Sequence, residues 1–236
     1  MICDEQRTAD ESVPLAYGFE KVSGHLETAV GVSITGAVYW NGIGPGDIDP
    51  VYPTSYKNFS DPESLLEHVD DNLIHPQEQG MFHYHTATPA IAKTPVEKAD
   101  PVSEFHGDTV TEIMKYFSTS AYARKNLPIG MAKDGHVIWG PYREDVGAGV
   151  FKQWEPCDVD VCNGAYMADG SYGYAATMFH PYLVGCWGPG SSPDEIGQQC
   201  SSKPRVCIPP PPVAQGSNWL YVSLISTVLL QYIANI

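Results

Sequence analysis

The stretch Gly80 to Thr86, GMFHYHT, decides how this chain is read. A glycine marks a turn at its start, and aromatic and imidazole side chains then alternate, so the segment reads as a β-strand. On a strand, side chains two apart point to one face. His83 and His85 are thereby set side by side, with Phe82 and Tyr84 packed or hydrogen-bonded on the other face. Two neutral imidazoles on one strand face are a good start for Zn or Cu ligation. The pair is equally compatible with two histidines held in a polar cluster, and both alternatives stand at this point.

Working outward, Glu27 to Trp40 carries β-branched and aromatic residues in partial alternation and reads as strand. His136 to Trp139 reads as a strand stopped by Gly140-Pro141, and Tyr182 to Trp187 as another. Asn41 to Asp49 is a turn by composition, as is Asp134-Gly135. Pro62 to Val69 is expected to form a short helix with Asp61 as N-cap. Thr109 to Lys125 carries the pattern of a long helix. Val110, Ile113, Met114 and Phe117 fall on one face, Asp108 can cap it, and Arg124 and Lys125 end it. With Gly 22 and Pro 20, the rest is expected to be short strands and long connections. The expected class is α+β: a β-rich single domain with one long helix, stabilised by disulfides. No short-period repeat is visible.

The totals exclude several functions. The 236 residues are 43% hydrophobic with a mean hydropathy of −0.20, enough for one sizeable core. A formal charge of −15 repels phosphate backbones and anionic lipid, so no nucleic-acid partner is expected. The sequence has no GxSxG, phosphate loop or GxGxxG fingerprint. Six cysteines (Cys3, Cys157, Cys162, Cys186, Cys200 and Cys207) lack CxxC spacing and point to disulfides and an oxidising compartment. Asn58-Phe59-Ser60 is a sequon for N-glycosylation at Asn58.

The expected organisation is an N-terminal extension over 1–26, a domain over 27–190, a Pro-rich linker over 191–218 and a hydrophobic tail over 219–236. Pro209 to Pro212 suit a stiff polyproline II spacer. The uncharged tail, WLYVSLISTVLLQYIANI, has the pattern of a glycosylphosphatidylinositol anchor signal. A short membrane helix and a buried C-terminal helix are the alternatives. The expected location is extracellular or at the cell surface, anchored to the membrane. The N-terminus MICDEQRTADES has no apolar region of a signal peptide, so this reading implies a longer gene product.

Four blocks carry a family resemblance. They are DDNLIHPQEQGMFHYHTATPAI (Asp70 to Ile91), PIGMAKDGHVIWGPY (Pro128 to Tyr142), DVDVCNG (Asp158 to Gly164) and SYGYAATMFHPYLVGCW (Ser171 to Trp187). In order and spacing, over roughly Val32 to Gly188, they resemble the YHYH domain family. The second YHYH motif corresponds to Tyr172-Gly173-Tyr174-Ala175, where both histidines are gone. Asn163-Gly164-Ala165 likewise lacks the usual histidine. Asn72 and Ala90 stand where the family has two cysteines. The resemblance implies a Cys162–Cys186 disulfide and adds His75 to His83 and His85. It implies paired histidines suited to metal chemistry, and no particular reaction. Beyond it, Cys200 with Cys207 would close a small loop, leaving Cys3 with Cys157 by elimination.

The leading functional expectation is an extracellular or cell-surface protein binding Zn or Cu through His75, His83 and His85. The alternative is a non-enzymatic structural or adhesive surface component with no metal. A metal-dependent hydrolase or oxidase would need a general base that the sequence does not name, so enzyme activity is not the leading expectation. His106 reads as a fourth ligand or an exposed loop residue, and His180 as packed near the Cys162–Cys186 bridge. Asp158 and Asp160 have the look of a Ca²⁺ loop without EF-hand spacing.

Overall fold

The computed structural model describes residues 28–44, 48–53, 67–70, 72–77, 80–91, 126–145, 149–190, 201–203 and 205–209. Among them, β1 (Ala29–Ser33), β2 (Val38–Trp40), β3 (Ile74–Pro76), β4 (Phe82–Tyr84), β5 (Pro128–Ala132), β6 (Val137–Trp139), β9 (Gly164–Tyr166) and β10 (Tyr172–Ala175) form one eight-stranded sheet. Its order is β3-β4-β2-β1-β5-β6-β10-β9, and β7 (Tyr142–Asp145) pairs with β8 (Val150–Gln153) as a separate hairpin.

The α+β expectation is corrected. The described residues contain no α-helix, only a 3₁₀ turn at Pro89–Ile91, so the described fold is a β-rich sheet domain with no long helix seen. Frequent Gly and Pro cut the pattern into strands of three to five residues. The helix expected over Thr109 to Lys125 lies outside the described residues, and 67–69, the described end of the expected Pro62 to Val69 helix, are not helical. Tyr182 to Trp187 is buried turn structure, not a strand. Glu27 to Trp40 contains a hairpin: β1 and β2 flank a turn at Thr35-Gly36, where Gly36 has φ 90°. Asn58, Cys3, Cys200, His106 and the tail 219–236 also lie outside the described residues.

The sheet is built twice. Reading outward from its centre, β1-β2-β4-β3 is matched by β5-β6-β10-β9, with the same antiparallel, parallel, antiparallel pairings in each half. The match extends to individual hydrogen bonds. Ser33 N–H donates to Ala37 O at 2.8 Å, and Ala132 N–H to His136 O at 2.9 Å. Asp70 Oδ1 accepts from the N–H groups of Asn72 and Ile74, and Asp160 Oδ1 from those of Cys162 and Gly164. Leu73 and Asn163 occupy the same left-handed turn position, at φ 63° and 66°. At the junction, a Cβ on Gly31 would lie 2.6 Å from Met131 O and one on Gly130 2.5 Å from Val32 O. Each glycine thus lets the other half's strand approach.

One face of both halves supplies the core, where Tyr39, Tyr84, Ile138, Tyr174 and Leu183 are buried together. The segment 201–209, expected within a linker, is fastened to the domain. Ser201 Oγ donates to the Asp49 carboxylate, which also accepts from the Tyr182 hydroxyl. Fully buried Arg205 donates to Asp160 O at 2.6 Å. This strap brings Cys207 to Cys157, and the two are bonded. The pairings Cys200–Cys207 and Cys3–Cys157 are therefore corrected, because docking carries Cys207 to the sheet rather than back on its own loop. Cys162 is bonded to Cys186. Two disulfides point to an oxidising or extracellular environment.

Candidate metal centre

β3 and β4 run antiparallel at one edge of the sheet, and their register sets His75 directly opposite His83. His85 follows β4 by one residue on the same face as His83. All three imidazoles are buried, and one ring nitrogen from each lies within 4.8 Å of the other two. The triad could hold a metal ion. On the opposite face Tyr84 packs against Tyr39 and its hydroxyl meets Thr35 Oγ1 at 3.2 Å, but Phe82 is 55% exposed instead of packed.

The hydrogen bonds fix which nitrogens are available. His83 Nδ1 lies 3.3 Å from Met81 O, and His85 Nδ1 lies 2.7 Å from Asn41 O. A carbonyl only accepts, so each Nδ1 carries the proton and each neutral ring leaves Nε2 as a bare lone pair. Those two Nε2 atoms are 3.3 Å apart. Two lone pairs cannot hydrogen-bond to each other. Zn–N bonds of ~2.0–2.1 Å in a tetrahedron place neighbouring nitrogens roughly 3.3–3.4 Å apart, the separation found here.

Burial keeps the rings neutral. Desolvation, then the neighbouring His83, lowers the His75 pKa to about 4. Desolvation lowers that of His85 to about 3, against the raising effect of its bond to Asn41 O. His83 is lowered as well, by burial, with the Met81 bond opposing. Neutral imidazole is the form that ligates metal. Trp40, the last residue of β2, stacks on His83 with ring centroids 3.6 Å apart and meets His85 edge-on.

Sequence reasoning missed Glu67. Its Oε2 lies 3.4 Å from His75 Nδ1 and its Oε1 3.9 Å from His85 Nε2. With His75 neutral this is a polar contact rather than an ion pair. Burial raises the Glu67 pKa, partly offset by His68. Its position in the short helix expected over Pro62 to Val69 gave no signal that it turns inward.

The remaining candidates fall elsewhere. His180 is buried with Nε2 bonded to Gly42 O at 2.8 Å. His136 bonds Asp134 at 2.9 Å beneath Tyr172 and Tyr174. Asp158 is held by Arg143 in a two-point pair at 2.8 and 2.6 Å. Asp160 accepts from four donors: the N–H groups of Cys162, Gly164 and Gly190 and the Tyr172 hydroxyl. Neither carboxylate is open to Ca²⁺.

The second half shows what the same backbone does without the site. By strand register, Ala165 stands where His75 does, Gly173 where His83 does and Ala175 where His85 does. Trp139 corresponds to Trp40, and its Nε1 would lie 2.6 Å from a Cβ on Gly173. Compared with known protein families, curated proteins and solved structures, the chain matches none.

Proposed function

We propose that this is an extracellular, non-enzymatic protein that binds one transition-metal ion, Zn²⁺ or Cu²⁺, through His75, His83 and His85. The observation that carries the reading is the pair of bare Nε2 atoms of His83 and His85 at 3.3 Å. An apposed pair of lone pairs inside a protein is repulsive unless a cation or a proton lies between them, and the lowered pKa of both His83 and His85 disfavours the proton. A purely structural role is disfavoured by the chain's own second half. The same four-strand unit forms there with Ala165, Gly173 and Ala175, so the fold does not need the imidazoles.

We also read the chain as a divergent YHYH-domain protein. What supports this is the placement of the histidine-bearing motif, Phe82-His83-Tyr84-His85, on and just after β4 and of its degraded counterpart on β10, equivalent strands of the two halves. The test of function is the metal content of the full chain expressed through an oxidising secretory route. About one equivalent of Zn or Cu is expected in the parent and none in the His83→Ala/His85→Ala protein. A metal-free parent after exposure to either ion overturns the proposal.

A further inference from the structure

We infer that Glu67 is a fourth metal donor, so that the occupied centre is a closed site of three imidazoles and one carboxylate. This rests on the metal-binding reading above. Glu67 reaches the triad from outside the sheet, on the segment 67–70, whereas the three histidines sit on or beside β3 and β4. Its two oxygens face different ligands, one toward His75 and one toward His85. The 3.4 Å contact lies at the spacing of neighbouring donors on one ion and the 3.9 Å contact is longer, and neither is at the ~2.7–2.9 Å of a strong charge-assisted hydrogen bond. A carboxylate held this way is placed to move onto an ion rather than committed to a neighbour.

Two further observations favour a donor over a catalytic base. The cavity bounded by Glu67, His85, Pro50, Val51, Val69 and Leu73 has a volume of about 20 Å³. That gives room for roughly one water molecule beside the carboxylate. In the second half, the residue equivalent to Glu67 by its spacing to β9 is Cys157, which is itself a cross-link, to Cys207. Both halves therefore use this position to tie a peripheral segment down, one covalently and one by coordination. Charge agrees as well: one carboxylate with three neutral imidazoles leaves a divalent ion with a single net positive charge, cheaper to bury than two.

The test uses the full chain loaded with Co²⁺, whose visible absorption reports coordination number, in the parent, Glu67→Gln, Glu67→Ala and His83→Ala. The parent is expected to bind one Co²⁺ with the intense bands of a four-coordinate ion. Glu67→Gln and Glu67→Ala are expected to bind about 100-fold more weakly, with bands shifted from the parent's as water takes the vacated position. His83→Ala is expected to lose the ion. Parent-like bands in the Glu67 variants overturn the inference, even with a tenfold loss in affinity, because Glu67 would then only orient His75. No Co²⁺ in the parent instead defeats the metal-binding reading itself. Metal-free melting temperatures of the Glu67 variants near the parent's establish that each is folded.

Discussion

Gly173 occupies in β10 the place that His83 occupies in β4: each pairs in parallel with a valine, Val137 for Gly173 and Val38 for His83. One domain therefore carries a polar, imidazole-lined version of its repeating unit and a version filled by Trp139. The contrast separates what the fold requires from what the site requires. Hydrogen bonds, left-handed turns and strand register are common to both halves, and the histidines are not.

The junction of the halves gives a stability prediction. Gly31→Ala and Gly130→Ala each force a Cβ against a backbone oxygen of the facing strand, at 2.6 and 2.5 Å. Backbone in a central strand cannot swing aside as a side-chain end can. Each variant should lose about 2–4 kcal/mol by denaturant unfolding, with the metal site's ligands untouched. A loss within about 0.5 kcal/mol would show that the central strands are less closely apposed than described.

Acid should weaken the metal-free protein. The folded-state pKa values of His75 and His85, about 4 and about 3, lie below the 6.5 of the unfolded chain. The unfolded state then binds more protons as pH falls below ~6.5, so stability drops through that window and goes on dropping toward pH 4. Each histidine contributes on the order of 2 kcal/mol of this loss by pH 5. Thermal melts of the metal-free parent at pH 7.5 and 5 should differ strongly. His75→Ala/His85→Ala should flatten that dependence, and an equally steep acid loss in this variant would place the cause elsewhere.

The strap makes a separate prediction. Cys157→Ser/Cys207→Ser opens a link across a sequence separation of 50 residues. The expected cost is about 2–4 kcal/mol. Residues 201–209 should then exchange amide hydrogens and be cut by protease more readily than in the parent, since the hydrogen bonds of Ser201, Ser202 and Arg205 must hold them without the covalent link. Unchanged protection would mean that these non-covalent contacts suffice.

Much of the site was legible because strand alternation needs only local sequence. GMFHYHT shows two imidazoles on one face without any tertiary information, and β4 forms there. The duplication was missed although both hairpins carry Gly, five residues on Gly, then Val and Trp: Gly31, Gly36, Val38 and Trp40 against Gly130, Gly135, Val137 and Trp139. Intervening segments of unequal length separate the hairpin from the motif strands in each half, so no constant period exists to detect. Glu67 was invisible for a different reason. A lone carboxylate on an acidic chain reads as solvated, and only the tertiary fold turns it toward His75 and His85. The Cys157–Cys207 bond was misassigned because closeness in sequence was weighed where the docking of buried Arg205 decides.

The most direct measurement is a crystal structure of the zinc-loaded full chain, with anomalous scattering recorded on both sides of the zinc edge. The account predicts one strong anomalous peak ~2.0–2.1 Å from His83 Nε2, His85 Nε2 and a ring nitrogen of His75. A map with no peak there, and the three imidazoles linked instead through a proton or a water, would contradict it.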